Sequence, residues 1–189
     1  MRKVIYSIMT TLDGFIARPG GELDWAIIDE ELHRFINDRE SEFDIFLYGR
    51  RTYEMMAGFW PTADSDPSQP DYIQEYARIW KSKSIVVFSR NLEQVEGGAR
   101  LVKENISEEI MKLKAQPGKD MAVGGAEIAA TFMRMGLIDE YELYIHPTIL
   151  GKGKPLFPAM DDSIRLRLVE SRTFGSGVVL LRYQLEGKG

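Results

Sequence analysis

Apolar positions follow two rhythms along the chain. Short, nearly continuous apolar runs at residues 3–8, 44–48, 84–88, 120–123 and 140–146 predict strands covered on both faces. Between them, apolar residues recur every three or four positions, which predicts helices over 29–40, 52–59, 70–80, 107–115 and 126–135. Strand and helix in alternation call for a mainly parallel sheet with helices on both faces. The last segment differs: residues 166–171 and 178–185 read as strands around Gly175, Ser176 and Gly177, the signature of an antiparallel hairpin. The expected fold is α/β, with a mixed sheet and a C-terminal antiparallel hairpin. No repeat, low-complexity tract or linker composition divides it, so residues 1–189 are expected to form one domain.

Composition narrows the possible functions. Among 189 residues, 44% are apolar and 28% charged, the balance of a folded domain rather than a disordered one. The chain contains no cysteine, which removes disulfides, thiolate catalysis and cysteine-held zinc and suits a cytoplasmic location. His33 and His146 lack the spacing of a metal site. A net charge of -5 offers no general attraction to nucleic acid, and no apolar run approaches a membrane span. The opening MRKVIYSIMTTLDG is interrupted by Asp13 and reads as a first strand, not a leader. A small molecule is the expected partner.

Ligands of open α/β sheets bind beyond the carboxyl ends of the parallel strands. Three such ends have sequences suited to phosphate. The first continues into Gly49, Arg50, Arg51 and Thr52, a helix start with two guanidinium groups. The second runs into Ser89 and Arg90, a hydroxyl and a cation suited to a ribose 2′-phosphate. The third enters Gly124 and Gly125, then Ala126, Glu127 and Ile128, where missing Cβ atoms would let a pyrophosphate approach the backbone. Each has a plainer reading as well: Thr52 as a helix cap, Ser89–Arg90 as a turn, and the glycines as a tight helix entry. The third is not the G-x-G-x-x-G fingerprint.

The order YSIMTTLDGFIA, DIFLYGRRTYE, IVVFSR, MAVGGAEIAATFM and HPTILGKGKPLFP resembles the dihydrofolate reductase superfamily over most of the chain. Within it, the sequence is most similar to the branch typified by the reductase domain of riboflavin biosynthesis. The resemblance implies NADPH bound across the strand ends and hydride transfer to a pterin-like, pyrimidine-like or carbonyl acceptor. It assigns Gly49, Arg50, Arg51 and Thr52 to a phosphate, Ser89 and Arg90 to the adenosine 2′-phosphate, and Gly124–Gly125 to a turn whose peptide is cis in dihydrofolate reductases. It makes residues 12–23, with Gly14, Gly20 and Gly21, a mobile loop over nicotinamide. Without cysteines, the zinc deaminase domain often joined to the riboflavin reductase is not expected within these residues.

Three carboxylates are candidates for the catalytic acid. Asp13 follows the first strand. On the helical wheel, Ile28, Leu32, Phe35 and Ile36 form a buried stripe flanked by Asp29 and Glu31. Asp29 and Glu31 could equally serve the helix start, and Asp13 the turn before Gly14. Trp25 is expected to wall the acceptor pocket, and the polar, proline-rich loop from Phe59 to shape access to it. GKGK at 151–154 reads as a turn, and Met55, Met56, Met133 and Met135 as packing. Asn105 or Ser107 is expected to cap the fourth helix. A non-catalytic NADPH-binding or sensor module is the alternative function. YELYIH is expected to supply a homodimer surface.

Overall fold

The computed structural model describes residues 1–187. Its strands are β1 (Val4–Thr11), β2 (Phe15–Ala17), β3 (Ile45–Gly49), β4 (Ser84–Phe88), β5 (Arg100–Val102), β6 (Met121–Gly124), β7 (Glu140–His146), β8 (Lys154–Pro155), β9 (Leu166–Thr173) and β10 (Val179–Leu185). Its helices are α1 (Glu30–Ser41), α2 (Arg50–Ala63), α3 (Asp71–Lys81), α4 (Ile106–Ala115) and α5 (Ala126–Arg134). Eight strands form one sheet in the order β5-β4-β3-β6-β1-β7-β10-β9, while β2 and β8 form a separate ribbon. Pairing is parallel from β5 through β7 and antiparallel where β10 meets β7 and β9, the mixed sheet with terminal hairpin that the pattern predicts.

Alternation explains the layers. Val4, Tyr6, Leu47, Val86 and Val123 pack with Ile110, Ile128 and Phe132 of α4 and α5. Ile5, Phe46, Tyr48, Val87 and Ala122 point the other way, toward Leu32 and Ile36 of α1 and Tyr76 and Trp80 of α3. Each central strand therefore feeds two cores, which is why its apolar run is nearly unbroken.

Several boundaries depart from the pattern. β2, β5 and β8 have three residues or fewer, too short to display a period. Gly49, not Thr52, is the N-cap of α2, and the helix continues through Pro61 to Ala63 instead of stopping at Phe59. Proline there removes one donor near the helix end, where few bonds remain to be lost. Asn105 is the N-cap residue of α4, but its side chain makes no capping bond. The expected dimer surface is absent from β7: that strand lies between β1 and β10, and Glu140 to Tyr144 are buried. No helix among the described residues is long and apolar enough to cross a membrane.

Candidate active site

Register brings the three phosphate-suited segments together. Gly49 stands opposite Phe88 of β4, and Tyr48 opposite Gly124 of β6, so β4, β3 and β6 end side by side at one level. From there the chain diverges: α2 follows β3 to one face of the sheet, and α5 follows β6 to the other. A crevice must open where neighbouring strands send their helices to opposite faces.

That crevice holds a groove made of two connected cavities of about 390 Å³ and 560 Å³. Gly49, Arg50, Arg51, Glu127 and Ile128 line both. Thr52, Gly125 and Ala126 line the first, and Ser89 and Arg90 the second. The helix starts at Gly49 and Gly125 carry no side-chain cap, leaving their first N–H groups for a ligand. Arg50 pairs with Glu54 at 2.7 Å and Arg51 with Glu127 at 2.8 Å. Both pairs are exposed and weak, so an anion can draw the guanidinium groups away. Ser89 Oγ accepts from the Asn91 and Leu92 N–H groups, which holds the turn that presents Arg90. Lys103 after β5 and Lys154 of β8 also line the groove. Lys103 carries no sequence signal because β5, at three residues, is too short to show a period, and Lys154 belongs to GKGK, expected to be only a turn.

The Gly-Gly turn is required by packing as well as by access. A Cβ on Gly125 would collide with the Thr52 hydroxyl, and one on Gly124 would stand 3.1 Å from the Tyr48 ring. Gly125 also adopts φ +97°, which side-chain-bearing residues rarely reach. No cis peptide occurs among the described residues, so the Gly124–Gly125 bond is trans, contrary to the expectation drawn from dihydrofolate reductases. The positive φ makes the turn instead.

The expected mobile loop is partly anchored. Phe15 and Ala17 pair with Pro155 and Lys154, and Leu156 N–H donates to Gly14 O at 2.8 Å. A Cβ on Gly153 would strike the Ala17 carbonyl, so this glycine lets the ribbon close. Ile16, Gly21 and Leu23 place the segment along the groove.

A third cavity of about 670 Å³ joins the groove at Thr52, Met55 and Gly125. Trp25, 5% exposed, lines it and stacks edge-on against His146 at 5.2 Å. Met55 and Met56, expected to be plain packing, line it too.

None of the three candidate carboxylates is on its wall. Asp29 is the N-cap of α1 and accepts from Leu32 N–H at 2.9 Å; Ile28, expected in the buried stripe, precedes the helix and is 43% exposed. Glu31 accepts from Gly175 N–H at 3.0 Å and lies 3.8 Å from Arg172. Asp13 accepts from the Thr11 hydroxyl at 2.6 Å and from Gly151 N–H at 2.7 Å. Those bonds, the Thr11 hydroxyl foremost, hold its carboxyl below the usual range. Asp29 caps its own helix, while Glu31 and Asp13 tie together segments distant in sequence.

The acid on the cavity wall is Glu40, which sequence reading overlooked. It falls four residues after Ile36 and eight after Leu32, on the same stripe of α1. Burial pushes its carboxyl up to about 7, and the nearby Glu142 adds to the rise, against the lowering effect of a hydrogen bond from the Tyr76 hydroxyl. His33 lines the same cavity, its ring 3.0 Å from Asn37 Oδ1, and burial lowers its pKa. No cluster suited to a metal ion occurs among the described residues.

Sheet order, crevice and hairpin together define a mixed α/β protein of the dihydrofolate reductase-like, reductase-type fold. Residues 2–180 match the RibD C-terminal domain, and the chain belongs to that family. It is 40% identical over 187 residues to the uncharacterized protein YyaP of Bacillus subtilis (strain 168), covering 98% of this chain and 96% of YyaP. It is 27% identical over 151 residues to the riboflavin biosynthesis protein RibD of Corynebacterium ammoniagenes, covering 76% of this chain but 42% of RibD. A dihydrofolate reductase of Enterococcus faecalis, solved in complex with NADP(H), shares the fold at a TM-score of 0.65 and 14% identity, covering 97% of this chain and 96% of that one.

Proposed function

We propose that this chain is an NADPH-dependent reductase that transfers hydride to a small acceptor held in the third cavity. The observation that carries the reading is the level alignment of the β4, β3 and β6 ends along one groove, with free helix N–H groups and five cations, Arg50, Arg51, Arg90, Lys103 and Lys154. A dinucleotide fits that composition: its charge is spread over phosphates, and the groove supplies donors at successive points along it. Arg90 with Ser89 would hold the adenosine 2′-phosphate, and the starts of α2 and α5 the pyrophosphate. The nicotinamide end would then fall near Gly125, where groove and third cavity meet.

When bound, the coenzyme supplies the hydride. The chain's task is to fix the geometry and exclude water. Thr52 against Gly125 fixes the floor of the junction, and the segment bearing Ile16 and Leu23 covers its side. Trp25 and the other aromatic side chains keep the acceptor space apolar.

Titration with NADPH and NADH tests the reading. NADPH should bind roughly 10- to 100-fold more tightly, the equivalent of one or two charge-assisted hydrogen bonds to the extra phosphate. Arg90→Ala should remove most of that preference while leaving NADH affinity unchanged. Equal affinity for the two coenzymes, or binding of neither, overturns the proposal.

A further inference from the structure

The groove and the third cavity differ in charge. Cations occur throughout the groove: Arg50, Arg51, Arg90, Lys103 and Lys154. In the third cavity, no lysine or arginine is present among the described lining residues. Its walls are aromatic and aliphatic, Trp25, Tyr48, Trp60 and Tyr144 among them; its one carboxyl group is Glu40, and its one imidazole is His33, which burial holds toward the neutral form. Tyr76 from α3 donates to that carboxyl, while Tyr48 from β3 and Tyr144 and Glu142 from β7 approach it from the sheet. Lys83, the cation whose charge acts on Glu40, is engaged with the carbonyls of Ser41 and Phe43, and Arg39 is taken up by Glu142. A phosphate or sulfonate entering here would lose its water, find no cation, and face an acid.

We propose that the acceptor is a flat, uncharged, unphosphorylated conjugated ring, and that Glu40 in its protonated form donates a hydrogen bond to an oxygen or nitrogen at the ring's edge. The assignment of this cavity to the acceptor rests on the coenzyme reading above; its chemistry rests on the lining. Aromatic walls favour a planar ring, by stacking and by the water that burial releases. A neutral carboxyl can give a hydrogen bond to a carbonyl or ring nitrogen, whereas the ionised form can only accept. Glu40 is therefore a specificity-determining residue, distinct from the anion contacts of the groove.

Equilibrium dialysis of 1,4-naphthoquinone and 1,4-naphthoquinone-2-sulfonate, each against protein saturated with NADP+, tests this. The two probes differ by one fixed anion, they carry no N–H donor, and the chain has no thiol for the quinone to alkylate. The uncharged quinone should bind about tenfold more tightly or better. Its affinity should fall from pH 6 to pH 8 as Glu40 ionises, and Glu40→Gln should remove that pH dependence. Met55→Arg, which sets a cation on the wall, should reverse the preference toward the sulfonate and keeps the test decisive if the Glu40 variant does not fold. Equal or tighter binding of the sulfonate by the parent protein, or no binding of the quinone, overturns the assignment. If NADP+ itself does not bind, the coenzyme reading fails; if it binds and the quinones are not distinguished, only the present inference fails.

Discussion

Single residues here divide into those that accommodate a ligand and those that hold the frame, and composition alone does not tell them apart. Asp29 and Glu40 lie on the same helical segment, yet one caps a helix and the other faces a cavity. Asp29→Ala should cost about 1 kcal/mol of stability by denaturant unfolding, as for other N-caps, with NADPH affinity unchanged. Glu40 should impose a pH dependence of the opposite kind from an ion-paired acid. Its folded pKa, about 7, lies above the ordinary glutamate value, so its contribution to stability is complete below the ordinary value and is lost as pH rises through 7. Thermal unfolding should show this decline in the parent protein and a flatter profile in Glu40→Gln. Gly125→Ala combines a disfavoured φ with a clash against Thr52 and should destabilise by roughly 1–3 kcal/mol. The glycine pair, the arginines and Ser89 were legible because strand, turn and helix start are adjacent in sequence. Glu40 is not, because an acid on an apolar stripe has meaning only when the neighbouring Tyr76, brought in from α3, is known.

At the scale of elements, long apolar strands and amphipathic helices were readable because each follows one period over several residues. The pieces that shape the site's edge were not. β2, β5 and β8 are held by pairing partners distant in sequence, and α2 runs through Pro61 because packing of Tyr53, Met56 and Trp60 outweighs the local signal. Asp13 joins two such pieces, tying the end of β1 to the loop after β7 through Leu150 and Gly151 N–H. Its lowered pKa means that this link is complete above the ordinary aspartate range and is lost as pH falls through the lowered value. Asp13→Asn should therefore increase hydrogen exchange at Leu150 and Gly151 at neutral pH, and the difference from the parent should shrink in acid. Unchanged exchange would show that the β2–β8 ribbon alone fixes this loop.

For the whole molecule, the decisive feature is the point where the chain reverses its course across the sheet. β1, β3, β4 and β5 are laid down outward to one edge, and β6 then returns to lie between β3 and β1. That return places the α2 and α5 starts side by side although 75 residues separate Arg50 from Gly125. The rhythm of the sequence predicts a parallel sheet, but strand order depends on which edges meet after collapse, and no local pattern encodes it. A ligand lying across β4, β3 and β6 would therefore bridge segments from both halves of the chain, and unfolding either half would destroy its site. Binding should couple to global stability: at 100 times its dissociation constant, NADPH should add about 2.7 kcal/mol, or roughly 5–10 °C in Tm for a domain of this size. NADH at the same concentration should give a much smaller shift, and Arg90→Ala should reduce the NADPH shift to that level. If NADPH instead protected only α2 or only α5 in hydrogen exchange, the bridging arrangement would be refuted even with affinity and the Tm shift intact.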